Sequence, residues 1–113
     1  MPPNLNITVN DDGQTLVVTP RGEVDIFTSP ELAAALDQRA NGHRAIVCDL
    51  SRVTFLDSTG LRLLLTVRRQ EPERFAIANP SEPVERLLAL TGMIEHFRRA
   101  PGPSPSRNDE SPA

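Results

Sequence analysis

The densest group of reactive polar side chains in the sequence is Asp57-Ser58-Thr59-Gly60, directly ahead of a run of leucines. By itself the string is typical of a helix N-cap, because the Asp57 carboxylate can accept hydrogen bonds from the free N–H groups of the first turn. A second interpretation makes Ser58 a phosphorylation site. A helix N-terminus tolerates an anion, and a phosphate there would add about −1.5 to −2 charges where a partner could dock.

A serine hydrolase is the competing interpretation of Ser58, since a nucleophilic serine needs a base within hydrogen-bond reach. Neither the Gly-x-Ser-x-Gly pattern of a nucleophile elbow nor a Walker-type phosphate loop surrounds Ser58. The two histidines, His43 and His96, share no short motif with Ser58 or with a carboxylate, and surface positions are predicted for both. The sequence therefore predicts no catalytic set and no enzymatic activity.

The single cysteine, Cys48, excludes an internal disulfide and a multi-cysteine zinc site. Its apolar neighbours predict a buried and inert thiol. We expect no metal site and no cofactor.

Charge and hydropathy limit the classes of partner. The net charge of −3 disfavours non-specific binding to nucleic acid, which requires a basic surface. The basic pairs Arg68-Arg69 and Arg98-Arg99 are interpreted as solvated ends of helices or strands. The sequence has no signal-peptide pattern and no apolar run of about 20 residues, so we expect a cytoplasmic protein that does not contact a membrane.

Two strands are predicted at the start of the chain. Apolar residues alternate with polar ones over residues 5–9, a turn follows at residues 10–13, and residues 15–19 form the second strand. Pro20 lacks the N–H that a ladder needs, so we expect it at an edge or an irregularity.

A first helix begins near Thr28, and two registers remain open. Thr28 with Glu31 fits a capping box, whereas Ser29 followed by Pro30 fits an N-cap with proline at the first helical position. Asn41-Gly42 is expected to end this helix with a left-handed residue.

Strand and helix patterns alternate in the second half. Residues 45–50 and 75–78 are short apolar runs, typical of buried strands. Between them, a helix from Ser58 to about Gln70 has apolar residues around most of its circumference, which predicts that it is largely buried.

The third helix leads to the end of the predicted domain. Ser81 is expected to cap this helix, Gly92 to end it, and residues 94–97 to add a last short strand. Residues 1–99 are therefore predicted to form one domain. Residues 100–113 are rich in proline and serine and cannot bury enough apolar surface to fold, so they are predicted to be a disordered tail.

These elements predict a small α/β domain with a mixed sheet of about four to five strands packed by helices. In open sheets of this kind, functional sites gather at the carboxyl ends of strands. The turn at Asp57 leaves the buried strand and enters the second helix, so it is the predicted site.

Three stretches resemble, in order and spacing, the STAS domain of bacterial anti-sigma factor antagonists. They are Gly22-Glu23-Val24-Asp25 with Thr28, then Ile46-Val47-Cys48-Asp49-Leu50-Ser51-Arg52-Val53-Thr54-Phe55-Leu56-Asp57-Ser58-Thr59-Gly60-Leu61, then Asn79-Pro80-Ser81 with Val84, Leu87-Leu88 and Leu90-Thr91-Gly92-Met93. The resemblance covers residues 5–97 and implies a STAS-type fold.

The resemblance also implies a partner-switching regulator. In its unphosphorylated form, such a protein binds an anti-sigma factor that is also a serine kinase and so frees a sigma factor. The kinase uses ATP to phosphorylate a serine, the modified form dissociates, and a phosphatase resets it. By position the acceptor is Ser58, with Thr59 as a second choice.

Partner contacts follow from the same resemblance. Asp57 matches an acidic residue that positions the serine and the partner, and Asp25 matches an acidic residue near the same surface. The implied partner-binding set is Asp25, Asp57, Ser58, Thr59, Gly60 and Arg62. Ile26 and Phe27 either extend this interface or cover the start of the first helix as a hydrophobic staple.

The sequence departs from the family pattern at Arg62, where family members often have a small residue. Arg62 could change the choice of partner or fold back onto a phosphate at Ser58. We also expect the connection from Gln70 to Phe75 to be shorter than in the family, and the proline- and serine-rich tail to stand in place of the family's final helix. We expect a monomer. A scaffold or sensory STAS module without direct sigma-factor control is the alternative function.

Overall fold

An antiparallel hairpin of β1 (Leu5–Asp11) and β2 (Thr15–Val24) begins the fold in a computed structural model that describes residues 4–37 and 42–100. The Asp12 carboxylate accepts hydrogen bonds of 2.8 Å from two backbone N–H groups of the turn, and Gly13 supplies its positive φ of 87°. The predicted hairpin is confirmed, although β2 runs five residues further than the sequence pattern indicated.

Strand β2 is long because two short strands cover one of its edges in tandem. Residues 15–18 pair in parallel with β3 (Ala45–Asp49), and residues 22–24 pair in parallel with β4 (Val53–Leu56). Pro20 falls in the gap between these two ladders, so the irregularity predicted there is confirmed.

Strand β4 was not predicted. No strand was predicted between residues 45–50 and the turn at Asp57, and that interpretation is wrong for these four residues. The strand is too short to show a clear alternation of apolar and polar residues. Its position is fixed by residues distant in the sequence: the Gly22 N–H donates to the Arg52 carbonyl (3.1 Å), and the Ser81 hydroxyl donates to the Val53 carbonyl (2.7 Å).

Three helices and a fifth strand complete the order of elements. They are α1 (Ser29–Asp37), α2 (Ser58–Gln70), β5 (Phe75–Ala78) and α3 (Glu82–Thr91). The sheet order is β1-β2-β3-β5, with β4 on β2, so the predicted α/β class with a mixed sheet is confirmed. No helix in the described residues is long and apolar enough to cross a bilayer.

The helix ends match the sequence in part. Helix α3 ends at Gly92, whose φ of 73° is left-handed as predicted. Ser81 does precede α3, but its hydroxyl makes no cap bond because it donates to β4 instead. The predicted end of α1 at Asn41 lies outside the described residues.

One apolar core joins the sheet to all three helices. It includes Leu16, Val18, Val24, Leu32, Leu36, Ile46, Cys48, Leu56, Leu61, Leu64, Val67, Phe75, Ile77, Val84 and Leu88. The buried face of α2 is narrower than predicted, because Leu63 and Leu65 are only half-buried and Arg62 is exposed. Cys48 is fully buried as predicted, and burial together with the Asp49 charge raises the pKa of its thiol.

The predicted strand at residues 94–97 is wrong. A 3-10 helix, Ile94–His96, occupies that stretch, and the chain pairs with β5 only afterwards. The Ile77 N–H donates to the Arg98 carbonyl (2.9 Å) and the Ala100 N–H to the Ile77 carbonyl (2.8 Å). Apart from Ala100, the predicted tail at residues 100–113 lies outside the described residues.

Of the two histidines, only His96 is exposed as predicted. His43 is 7% exposed, and its Nε2 lies 2.8 Å from the Asp11 carboxylate. The surface position predicted for His43 is therefore wrong: the ring is buried and hydrogen-bonded to a residue 32 positions away in the sequence. Hydrogen bonds from the Gly13 N–H and from the His43 ring lower the pKa of the Asp11 carboxyl.

Candidate functional site

Two loops leave the sheet side by side at the carboxyl ends of β2 and β4. Val24 and Leu56, the last residues of these parallel strands, are register partners, and the Asp57 N–H donates to the Val24 carbonyl (3.2 Å). Since neighbouring strands lie about 4.8 Å apart, Asp25 and Asp57 begin adjacent loops. The structure thus brings together the two acidic residues that the sequence analysis singled out.

Asp57 is the N-cap of α2. Its backbone is extended (φ −104°, ψ −172°), and its Oδ1 accepts hydrogen bonds from the N–H groups of Thr59 (2.9 Å) and Gly60 (3.1 Å). These bonds satisfy two of the N–H groups that every helix start leaves free. The predicted cap is confirmed, and it fixes the backbone on both sides of Ser58.

Ser58 is the first residue of α2, and its side chain is exposed. Within the described residues, its hydroxyl forms no hydrogen bond, so the group is available to another molecule. Thr59, the second candidate acceptor, is half-buried. Exposure therefore favours Ser58 over Thr59, in agreement with the order predicted from the sequence.

Gly60 is buried and sets how closely α2 approaches the sheet. A Cβ atom at this position would lie 2.5 Å from Leu56 Cδ1 and 2.9 Å from Val24 Cγ1. A side chain at this position would therefore force the Leu56 and Val24 side chains or the first turn of α2 to shift. The role that the structure gives Gly60 is therefore to position Ser58, and direct contact with a partner stays a prediction.

The Asp25 loop is held by a compact set of hydrogen bonds. Asp25 Oδ1 accepts from the N–H groups of Phe27 (2.9 Å) and Thr28 (3.0 Å). The buried Thr28 hydroxyl accepts from the Asp25 N–H (2.9 Å) and donates to the Glu23 carbonyl (2.8 Å). Helix α1 begins at Ser29, and Thr28, the residue before it, uses its hydroxyl on the preceding loop rather than in the capping box that was considered.

Large apolar side chains are exposed beside these loops. Ile26 is 62% exposed and Phe27 is 84% exposed. The staple interpretation is therefore wrong, and the contact of these two side chains with a partner stays a prediction. Phe55, half-exposed two residues before Asp57, was missed because β4 itself was missed and an apolar residue there would ordinarily be assigned to the core.

Arg62 lies one helical turn after Ser58 on the exposed surface of α2. Its carbonyl accepts a hydrogen bond from the Thr66 hydroxyl (2.9 Å). No carboxylate in the described part of the chain pairs with its guanidinium. Arg62 is therefore available to an anionic group that arrives near Ser58.

The arrangement does not provide Ser58 with a histidine base. His43 contacts the far end of the hairpin, roughly 30 Å from Asp25 along β2. His96 lines a groove with Arg68 near the last turn of α2, about 15 Å from Ser58 along that helix. Among the described residues, no three His, Cys, Asp or Glu side chains come close enough to hold a metal ion.

A broad open groove of about 630 Å³ lies elsewhere on the surface. It is lined by residues 4–6, 21–22 and 51–54, and so by none of the six predicted partner-binding residues. The candidate site itself is made by two loops and a helix start, with Ser58 exposed on it.

Comparison with known proteins agrees with this geometry. A protein-family model described as "Mlab, STAS domain" matches residues 7–97. The anti-sigma-B factor antagonist of Staphylococcus aureus is 35% identical over 94 residues, which cover 80% of this chain and 87% of that protein. The anti-sigma-F factor antagonist RsfB of Mycobacterium tuberculosis is 30% identical over 100 residues, covering 86% and 82%. The crystal structure of an anti-sigma factor antagonist from Mycobacterium paratuberculosis superposes with a TM-score of 0.77 at 29% identity, covering 93% of this chain and 92% of that one.

Proposed function

Because the chain belongs to the STAS domain family, and within it to the anti-sigma factor antagonists, we propose that its unphosphorylated form binds an anti-sigma factor that is also a serine kinase, and so frees a sigma factor. The observation that carries this proposal is the exposed Ser58 hydroxyl, held at the start of α2 by the Asp57 cap. Phosphorylation of Ser58 ends the complex, and a phosphatase restores it.

The binding surface combines a rigid polar centre with exposed apolar side chains. Asp25 and Asp57 are fixed by backbone hydrogen bonds, so their carboxylates need little ordering when a partner binds. Ile26 and Phe27 offer apolar area beside them. Ser58, Thr59 and Arg62 extend the surface along α2, with Gly60 beneath them.

In the phosphorylation step this chain supplies only the nucleophile. The Ser58 Oγ attacks the γ-phosphorus of ATP bound to the partner, a new O–P bond forms, and the bond to the departing ADP breaks. The hydroxyl proton goes to a base of the kinase. That the kinase supplies the base agrees with the position of both histidines of this chain away from Ser58.

Charge explains why the modified form dissociates. A phosphoserine adds about −1.5 to −2 charges beside the Asp57 carboxylate, and it enlarges a side chain that the partner must contact. A partner surface fitted to the bare hydroxyl then meets like charge and lost shape complementarity. The folded domain can tolerate the modification, because a helix N-terminus favours an anion.

We expect this activity in the cytoplasm, where ATP and sigma factors are found, with the chain acting as a monomer. The net charge of −3 disfavours direct contact with nucleic acid.

Mass spectrometry after incubation with the cognate kinase and ATP tests the site. The kinase is to be taken from the genes that neighbour the gene for this chain. One phosphate is expected, on Ser58, and Ser58→Ala should abolish it. Thr59→Ala is the matched control, since it removes the adjacent hydroxyl and should still be phosphorylated. A phosphate found at any other residue would falsify the assignment of Ser58.

A scaffold or sensory module is the second candidate function, since the family model that matches residues 7–97 identifies a STAS domain and names no partner. In that case the chain would bind within a larger assembly whatever the state of Ser58. The same kinase assay separates the two candidates, because only the antagonist is modified at Ser58 and then loses its partner.

A further inference from the structure

We propose that the Arg62 guanidinium binds the phosphate of phosphorylated Ser58 within the same chain; this inference rests on the proposed function. Ser58 and Arg62 are four residues apart on α2, and both are exposed. Residues at this spacing lie on the same face of a helix, about 6 Å apart along its axis.

The direction of helical side chains favours this contact. A long side chain on a helix points back over the turn on its N-terminal side, so Arg62 extends toward Ser58 rather than away from it. An anionic group that precedes a cationic group by four residues is also the more stabilising order for such a pair. A guanidinium can form two parallel hydrogen bonds with a phosphate, which a single ammonium cannot reproduce.

The electrostatic surroundings leave Arg62 free for this role. Within the described residues no carboxylate pairs with it, whereas Arg74, Arg86 and Arg99 each have a glutamate partner. Asp57 and the neighbouring Asp25 give the site negative charge before any phosphate is added. Arg62 is therefore a cation that can offset a phosphate on this turn.

The contact would make phosphorylation remove two binding features at once. In the unmodified chain, Arg62 is available to a carboxylate of the partner. In the modified chain, the phosphate occupies Arg62, so the partner loses that contact in addition to meeting the phosphate. Phosphorylation would then change partner binding by moving the Arg62 side chain, while the backbone of α2 stays in place.

A ³¹P NMR titration of the full chain, with phosphoserine incorporated at position 58 during translation, tests the contact without any kinase. The second pKa of a phosphoserine is about 6. We expect it to be lower by about 0.5 in the wild type than in Arg62→Gln, because a nearby cation favours the dianion by an amount typical of an exposed pair. Asp25 and Asp57 are present in both chains, so their effect cancels in the comparison.

Arg69→Gln is the matched control. Arg69 is also exposed on α2, but it lies about 16 Å from Ser58 along the axis, beyond the Debye length at physiological salt. The phosphate pKa of this variant should stay within about 0.1 of the wild type, and Arg62→Lys should give an intermediate value. Equal pKa values in wild type and Arg62→Gln, or an equal shift in Arg69→Gln, would overturn the proposal. A failure of the kinase to modify Ser58 would overturn the proposed function and leave this titration unchanged.

Discussion

At the scale of single residues, the Asp57 carboxylate accepts hydrogen bonds from the N–H groups of Thr59 and Gly60 and also places a negative charge beside Ser58. Two substitutions separate these effects. Asparagine keeps an acceptor oxygen in nearly the same position and removes the charge. Alanine removes both.

We expect Asp57→Asn to change the free energy of unfolding by less than about 0.5 kcal/mol, because asparagine caps helices about as well as aspartate. Asp57→Ala should lower it by about 1 kcal/mol. Urea unfolding followed by circular dichroism measures both. If the two variants lost equal stability, the charge rather than the acceptor oxygen would hold this turn.

Local hydrogen bonds explain which residue roles could be read from the sequence. The Asp57 cap was predictable because its bonds span only three residues. A capping box with Thr28 was one of two registers left open, but the Thr28 hydroxyl bonds backward to Glu23 and Asp25 because the end of β2 presents those groups. His43 was assigned to the surface because its hydrogen-bond partner, Asp11, lies 32 residues away in the sequence and no local pattern indicates the contact.

At the scale of elements, the closeness of α2 to the ends of β2 and β4 fixes the position of Ser58. Gly60→Ala tests this packing. Alanine has the higher helix propensity, by about 1 kcal/mol, but its Cβ would lie within 3 Å of Leu56 and Val24. Because overpacking of this kind costs about 1–3 kcal/mol, we expect a net loss of stability in urea unfolding.

The control for this substitution is Ser58→Ala, which changes an exposed side chain on the same turn and should shift the free energy of unfolding by less than about 0.5 kcal/mol. A Gly60→Ala variant more stable than the wild type would show that propensity outweighs the close approach. In that case the first turn of α2 would have room that the structure does not indicate.

Elements were predictable where their pattern is internal to the segment. Helices α2 and α3 repeat apolar residues at helical spacing over several turns, and β3 and β5 are short apolar runs between polar turns. The four residues of β4 have too little pattern of their own, and they are a strand because the second half of β2 is open to pairing there. The prediction of a strand at residues 94–97 was wrong although the local pattern is that of a strand. The residues that follow, Arg98 to Ala100, pair with the free edge of β5 instead.

At the scale of the whole molecule, the ionisation of Cys48 makes the free energy of unfolding depend on pH, because this thiol lies in the apolar core that joins the sheet to the helices. Its thiol is fully buried, and its pKa is raised above the ordinary value of 9.0. As pH rises through 9, the unfolded chain therefore loses a proton that the folded chain keeps. Stability is unaffected below that pH and falls above it, by about 1.4 kcal/mol per pH unit.

The composition makes this effect measurable, since the chain has no tyrosine and its twelve basic residues are all arginine. Urea unfolding at pH 8, 9, 10 and 10.5 should show the decline in the wild type. Cys48→Ala should start about 1 kcal/mol less stable and show a much flatter dependence on pH. Parallel pH profiles for the two chains would mean that another group causes the decline.

The central claim is that phosphate on Ser58 controls binding to the anti-sigma factor. Isothermal titration calorimetry of the cognate anti-sigma factor kinase with the unmodified chain, the phosphoserine-58 chain, Ser58→Ala and Ser58→Asp tests it most directly. We expect the unmodified chain and Ser58→Ala to bind, Ser58→Asp to bind more weakly, and the phosphorylated chain to lose at least about tenfold in affinity, or 1.4 kcal/mol. Equal affinity of the phosphorylated and unmodified chains would contradict the account.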